Sequence, residues 1–482
     1  MLFNSYLFVL CFLPLTLLLY YGANRFSYRL GSLVLLAASL IFYGYYNVKY
    51  LLLISASILI NYFFSKQIGR AVERKKLLLG LAVTVNILVI AYYKYYDFFV
   101  EGINTVFRTS FPLRHIILPL GISFFTLQQI SFLADTYAGR TRDYSLLEYA
   151  QFVTFFPQLV AGPIVLHDEL IPQFRDPARK HLRPDAMCRG IMMFSLGLSK
   201  KMLIADHFAP CVAYVYGAPS AASATELLLV ICAFALQLYF DFSGYSDMAT
   251  GLASMFGLEL PVNFDSPYRA RSFYEVWRRW HKTLGRFFTT YLYYPLGGSR
   301  RGGLITVRNT MIVFLVSGLW HGANMTFVLW GALNGVAVCL WRAGAQKWKK
   351  LPVVFQVVLT QALFFFLFGL FRADSVAQFG QICKGIFAPQ GFHVTDAFLE
   401  TLRIPFLRTL LSGAGIAITD HANAVLSAAL CFLTALLLCA VPVNNYNRQY
   451  RRTPLTLAGS LALMLFCVLS MGSVSVFLYY NF

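Results

Sequence analysis

Apolar runs long enough to cross a bilayer recur from one end of this chain to the other. A spanning helix needs about 20 such residues. Candidates occupy residues 6–21, 30–46, 51–64, 77–93, 191–207, 226–248, 310–329, 333–342 with its approach, 353–370, 424–441 and 455–479. Composition supports the same reading. The 482 residues are 58% hydrophobic and only 13% charged, where a soluble chain carries about 25% charged residues. Too little polar surface remains to cover a water-facing sphere, so lipid must cover the rest. The expected fold is an all-α, polytopic membrane protein. No polar linker divides it, so residues 1–482 form one expected domain. Its parts are the N-terminal helices (1–110), a core (111–345) and the C-terminal helices (346–482).

The net charge is +19. In a soluble chain that would suggest nucleic acid. Here the basic residues sit in short loops between apolar runs, so topology explains them and the expected partner is the bilayer. Four clusters read as cytoplasmic: Lys66 to Lys76, Arg175 to Lys201, Arg269 to Arg301, and Arg448 with Arg451 and Arg452. Counting spans from these puts both termini outside the cytoplasm. Residues 1–6 carry no Lys or Arg, and no small-x-small pattern precedes Asn24, so the N-terminus reads as a membrane helix and not a secretion signal. Nine scattered cysteines without Cys-x-x-Cys read as small hydrophobes, neither a disulfide framework nor a metal site.

Two apolar segments are broken. Residues 118–125 contain Pro119 and Gly121, and residues 155–163 contain Pro157, Gly162 and Pro163. A broken ladder in lipid must be buried in protein or line a polar cavity. Re-entrant elements and Pro-kinked spans both satisfy that requirement.

Three stretches place polar residues where a membrane makes them costly. In residues 277–284, helical spacing puts Trp277, Trp280 and His281 on one face and Arg278 and Lys282 on another, with Glu275 able to pair Arg278 or Arg279. An interfacial anchor helix is the plain reading. Its basic face also suits an anionic cofactor such as coenzyme A, or an acidic carrier protein. In residues 317–324, His321 lies within an apolar run and is able to shuttle a proton near neutral pH. Gly318 and Gly322 allow close approach of a backbone or a substrate. The competing reading is a structural histidine bonded across helices. In residues 237–248, Gln237, Asp241, Gly244 and Tyr245 share a face, and a buried Asp241 needs a partner. An arginine or histidine from the other two stretches is the expected partner, and a clamp between helices the plain role. The remaining histidines (His115, His167, His207, His393 and His421) stand alone, and His181 falls in a basic loop. No Walker A loop, His-Glu-x-x-His or Gly-x-Ser-x-Gly is present, which removes support for NTPase, zincin and serine-hydrolase classes.

Taken in order, several motifs resemble the membrane-bound O-acyltransferase family, in its bacterial alginate O-acetylation branch. They are Leu2-Phe3-Asn4-Ser5, residues 119–126 (Pro119 to Thr126), residues 156–164 (Phe156 to Ile164), residues 239–247 (Tyr239 to Asp247), residues 273–281 (Phe273 to His281) and Gly318-Leu319-Trp320-His321-Gly322. The resemblance implies a horseshoe of about 11 spans with re-entrant and interfacial helices around a central tunnel. It implies His321 as the catalytic histidine and His281 as the second signature histidine. Candidate donor or substrate contacts are Trp277, Arg278, Arg279, Trp280, Lys282, Gln237, Tyr239, Asp241, Trp320 and Asn324. No permanently bound cofactor is implied. The donor is acetyl-CoA or another acyl thioester, including one on a carrier protein. A periplasmic or membrane-anchored acetyltransferase is the implied partner, in a bacterial inner membrane. The implied acceptor is an extracytoplasmic polysaccharide of alginate type. Peptidoglycan, cellulose and teichoic acid D-alanylation are the near rivals. A polysaccharide-export transporter or scaffold subunit is the rival from another class.

Overall fold

The computed structural model describes residues 1–389, 391–441, 444–445, 453–471 and 477–478. The basic cluster of Arg448, Arg451 and Arg452, and the C-terminal end whose side of the membrane was expected, lie outside these. Among the described residues every regular element is helical. Within the described residues eight helices are long and apolar enough to cross a membrane, from Leu7–Phe26 to Asp420–Ala440, and two shorter apolar helices, Tyr28–Gly44 and Pro454–Leu469, join them. The expected count of eleven spans is not confirmed among these residues. Three of the eleven expected spans fall outside the eight, and two of these, at residues 30–46 and 455–479, correspond to the two shorter helices. Residues 191–207 fall on a helix, α1 (Pro184–Ser199), that continues through a π-helical segment (Lys200–Ala205) into Asp206–Gly217 and is not among the eight. The broken segment at residues 155–163 keeps only one helical turn, Phe156–Leu159, because Pro157, Gly162 and Pro163 interrupt the ladder.

The central element is α2 (Ala224–Met255), whose side chains are almost all buried. A capping box starts it: the Ser223 side chain accepts from Glu226 N–H, and the Glu226 carboxylate accepts from Ser223 N–H at 2.9 Å. Its 32 residues span about 48 Å, well past a ~30 Å hydrocarbon core. Around it run α3 (Phe273–Arg279), α4 (Lys282–Phe288), α5 (Gly303–His321), α6 (Met325–Trp348) and α7 (Val353–Arg372).

Glycines set the contact between α1 and α2. A Cβ on Gly190 would lie 2.6 Å from Gly251 O, and one on Gly197 would lie 2.5 Å from Gly244 O. The two pairs run in opposite chain order, so the helices are antiparallel and touch backbone to backbone. In lipid, where no hydrophobic force drives helices together, small residues permit this contact.

That approach brings the end of α1 against the acids of α2. Lys201 Nζ lies 2.6 Å from Asp241 and 2.7 Å from Asp206, and Lys200 lies 2.7 Å from Asp247. Lys201 and Asp241 are both 2% exposed. The partner of Asp241 is thus Lys201. The arginine or histidine expected from the other two polar stretches does not fill that role, because tight packing of α1 reserves the place. Asp241 also accepts from Leu478 N–H at 3.0 Å, and Asn445 donates to Asp247 at 2.5 Å.

Breaking a buried pair from one side costs about 3–5 kcal/mol, because the other charge is left buried. Lys201 serves two carboxylates, so the two sides differ. Lys201→Met should lower unfolding stability in detergent more than Asp241→Asn, which leaves Lys201 paired with Asp206. Equal losses in thermal unfolding would refute this asymmetry.

Candidate active site

The residues expected to form one helix around His281 form two. Ser272 caps α3 by accepting from Glu275 N–H at 3.1 Å, and α3 ends at Arg279. Trp280 is extended, and His281 adopts φ 44°, ψ 52°, before α4 begins. A non-glycine residue in that left-handed region costs about 1 kcal/mol or more and persists only where its surroundings hold it. The neighbouring loop does so. Asp265 N–H donates to Arg279 O and Lys282 N–H to Asn263 O, both at 2.9 Å. The helical-face argument therefore fails, although the same residues still converge through the turn.

Asn263 also fixes the imidazole. Its Oδ1 accepts from the Thr283 hydroxyl at 3.0 Å and from Thr283 N–H at 3.4 Å, and lies 3.0 Å from His281 Nδ1. Because the Thr283 amide only donates, the oxygen of Asn263 must face it. An oxygen only accepts, so His281 Nδ1 carries the proton, and Nε2 of the neutral ring is the acceptor. Both His281 and Asn263 are buried. The reading of the sequence missed Asn263, which sits in a loop without a recognisable motif.

His321 differs from expectation in a similar way. It is the last residue of α5, and the run expected as one span breaks at Gly322 before α6 starts. The space left open by the two glycines is taken by protein: a Cβ on Gly318 would meet Phe327 O at 2.3 Å, and one on Gly322 would meet the Phe327 ring at 2.1 Å. His321 is 4% exposed. The ring of Trp330 stands edge-on to it at 5.3 Å, as does that of Phe371 at 5.3 Å. Trp320 lies between the histidines, 6.1 Å from the His281 ring and 5.0 Å from the His321 ring, with its indole N–H donating to Ser123 O at 3.3 Å.

One cavity of about 550 Å³ reaches both histidines. Trp277, Arg278, Trp280 and Lys282 line it too, and so does Arg342 of α6, which the sequence reading had not singled out. The Arg342 guanidinium donates to Thr310 Oγ1 at 3.3 Å and lies 5.4 Å over the Tyr274 ring. The space thus has an aromatic wall, two imidazoles and four basic side chains, of which Arg286 is paired with Glu169.

The remaining candidates lie elsewhere. Arg279 bonds Glu275 at 2.8 Å and donates to Asp265 O at 3.2 Å, so it braces the turn. Tyr239 packs among Trp280, Phe264 and Tyr268. Asp241 is held by Lys201, and Gln237 is buried on the same helix. Asn324 caps α6, accepting from Thr326 N–H at 3.0 Å and donating to Asp374 O at 2.8 Å. Of the histidines expected to stand alone, His207 lies 2.8 Å from Leu402 O and His421 2.6 Å from Asp396, and His167 has partners too. It is buried, 3.1 Å from the Tyr144 hydroxyl and 3.4 Å from Asp135.

If Asn263 acts through His281, the two substitutions will not add. Asn263→Ala and His281→Ala should each lower turnover, and the double variant should be no slower than the slower single one. A multiplicative loss in the double variant would separate the two residues.

Comparison with known proteins places the chain in a family. The family profile described as membrane-bound O-acyltransferase covers residues 35–371, which include both histidines and the cavity. The "Peptidoglycan O-acetyltransferase" of Helicobacter pylori is 36% identical over 100% of this chain and 98% of its own length. The "Probable alginate O-acetylase AlgI" of Pseudomonas aeruginosa is 37% identical over 80% of this chain and 75% of its own. The "Teichoic acid D-alanyltransferase" of Bacillus subtilis is 24% identical over 50% of this chain and 62% of its own. The chain belongs to the membrane-bound O-acyltransferase family and is a multi-pass membrane O-acyltransferase.

Proposed function

We propose that this enzyme passes acetyl groups from a cytoplasmic thioester to a hydroxyl destined for an extracytoplasmic glycan. The observation that carries this reading is the single cavity holding His281 and His321 beside Arg278, Lys282 and Arg342. Acetyl-CoA presents phosphates, and guanidinium and ammonium groups bind phosphate through charge-assisted hydrogen bonds. The thioester end then reaches the histidines, where the wall is aromatic and excludes water.

In the reaction, His321 acts as general base. The acceptor oxygen adds to the thioester carbonyl carbon while His321 takes the hydroxyl proton. The tetrahedral intermediate collapses, the C–S bond breaks, and the proton passes from His321 to the departing thiolate. One ester forms for each thioester consumed. His281, held by Asn263, orients the donor or the acceptor.

For the acceptor, peptidoglycan is the first polymer to test. The peptidoglycan O-acetyltransferase aligns with the whole of this chain, whereas the alginate O-acetylase aligns with 80% of it. An alginate-like exopolysaccharide is the second. The reading places the enzyme in a bacterial inner membrane with both termini outside the cytoplasm. A periplasmic or membrane-anchored acetyltransferase completes the transfer to the polymer.

Two measurements test this. Alkali-labile acetate on purified peptidoglycan and on exopolysaccharide should fall to background in His321→Ala at matched membrane expression, and the polymer that loses ester is the acceptor. Unchanged ester on both would move the chain toward a scaffold or transport role. Arg342→Ala should raise KM for acetyl-CoA about tenfold, the equivalent of losing about 1.4 kcal/mol of charge-assisted binding, with little change in kcat. An unchanged KM would remove Arg342 from the donor site.

A further inference from the structure

The helix that ends at His321 should leave its last four carbonyls without partners. All of them are met. Gly322 N–H donates back to Gly318 O at 3.4 Å. The Tyr95 hydroxyl donates to Leu319 O at 2.5 Å, and Lys94 Nζ donates to Trp320 O at 2.6 Å and to His321 O at 3.0 Å. The ammonium also lies 3.5 Å from Ser123 Oγ and 6.0 Å from the Trp320 ring.

Lys94 and Tyr95 come from far away in the chain, on the candidate span Lys75–Phe107. They sit on a π-helical segment, Ala91–Tyr95, that interrupts that span. Single π-turns inside helices recur at functional sites, where they re-aim side chains. A lysine in an apolar span is costly and marks function unless a structural need explains it. Here the need is local to one place. A cation at a helix C-terminus opposes the negative end of the helix dipole, and this one touches the backbone of the residue assigned as general base.

Resting on the function proposed above, we propose that Lys94 is a positioning residue for His321. With Tyr95 it clamps the Leu319–Trp320–His321 backbone and so keeps the imidazole aimed into the donor cavity. It touches neither donor nor acceptor, so its loss should reach turnover and spare donor binding.

The test uses the full-length protein in nanodiscs, with acetyl-CoA as the thioester probe and released thiol as the signal. Lys94→Met should lower kcat about a hundredfold, the scale of a misplacement near 1 Å, with KM for acetyl-CoA within about twofold of wild type. Lys94→Arg, which keeps a cation and its donors, should recover most of the loss. A second readout does not depend on turnover. Carbethoxylation of His321 by diethyl pyrocarbonate, followed by mass spectrometry, should speed up several-fold in Lys94→Met while the rate at His281 stays the same. Where Lys94→Met fails to accumulate folded, Lys94→Gln and Tyr95→Phe take its place. Wild-type kcat with wild-type labelling of His321 would overturn the proposal. A raised KM with equally faster labelling of both histidines would also overturn it, since that pattern is general loosening. Absence of thiol release from the wild-type protein would count against the proposed function, and the labelling comparison would still decide the role of Lys94.

Discussion

In an apolar surrounding, every backbone donor and acceptor must find its partner inside the protein, and both histidines of this site sit where a helix stops. At His281 the chain turns through a left-handed residue between α3 and α4, and the loop around Asn263 supplies the missing bonds. At His321 helix α5 ends, and Lys94 with Tyr95 meets its terminal carbonyls. A continuous helix would have satisfied itself, but its side chains would have been confined to one cylinder surface. The two breaks release the imidazoles from that geometry and allow them to share a cavity. The cost is a dependence on distant residues, and those residues follow from the need for hydrogen bonds as much as from any chemistry with substrate.

The charges inside the fold follow the same logic. Gly190, Gly197, Gly244 and Gly251 let α1 and α2 touch at the backbone. Only then do Lys200 and Lys201 come within reach of Asp247, Asp206 and Asp241. Such pairs add little net stability over apolar packing, yet each charge is expensive alone. They therefore act best as a register device: a slide of α1 along α2 by one turn would strand several charges at once. This holds α2 in place, and α2 carries Phe242, whose ring stands edge-on to His281 at 4.8 Å.

The sequence made the class of fold legible because hydropathy is a sum over many residues and tolerates local error. His321 stood out because ionisable groups in apolar runs are few, whereas His281 lies in a basic stretch and stood out through the family resemblance. What failed was local geometry. Residues 277–281 carry a good helical pattern, and nothing in them announces that Trp280 will be extended; the loop at Asn263 and Asp265 imposes it from outside. The run from residue 310 to 329 is apolar enough on average to read as one span, so the stop at Gly322 is hidden within it. Partners were the least legible part. Asp241 required a cation, and Lys201 was as available in the sequence as any arginine. Choosing between them needed the glycine contacts of α1, which lie on a different helix. Arg342 looked like an ordinary basic residue at the end of a span until the fold brought it to the cavity.

Under the function proposed above, the division of labour inside the cavity bears on how an acyl group would cross while its carrier does not. Arg278, Lys282 and Arg342 are basic side chains that suit a phosphate-bearing handle. His321 is ringed by Trp320, Trp330 and Phe371, an apolar setting that disfavours water. A thioester exposed to water at such a base would be hydrolysed, and the aromatic ring disfavours that outcome. Separating a charged grip from a dry reaction centre lets binding energy from the remote, non-reacting part of the donor position the reacting carbonyl. The acetyl group is then the only part of the donor that must pass the histidines. It is uncharged and small, so its passage needs no aqueous channel. Under the proposed function, an acyltransferase built this way would move acetyl equivalents across the membrane by chemistry and leave the charge of the carrier on the side where it entered.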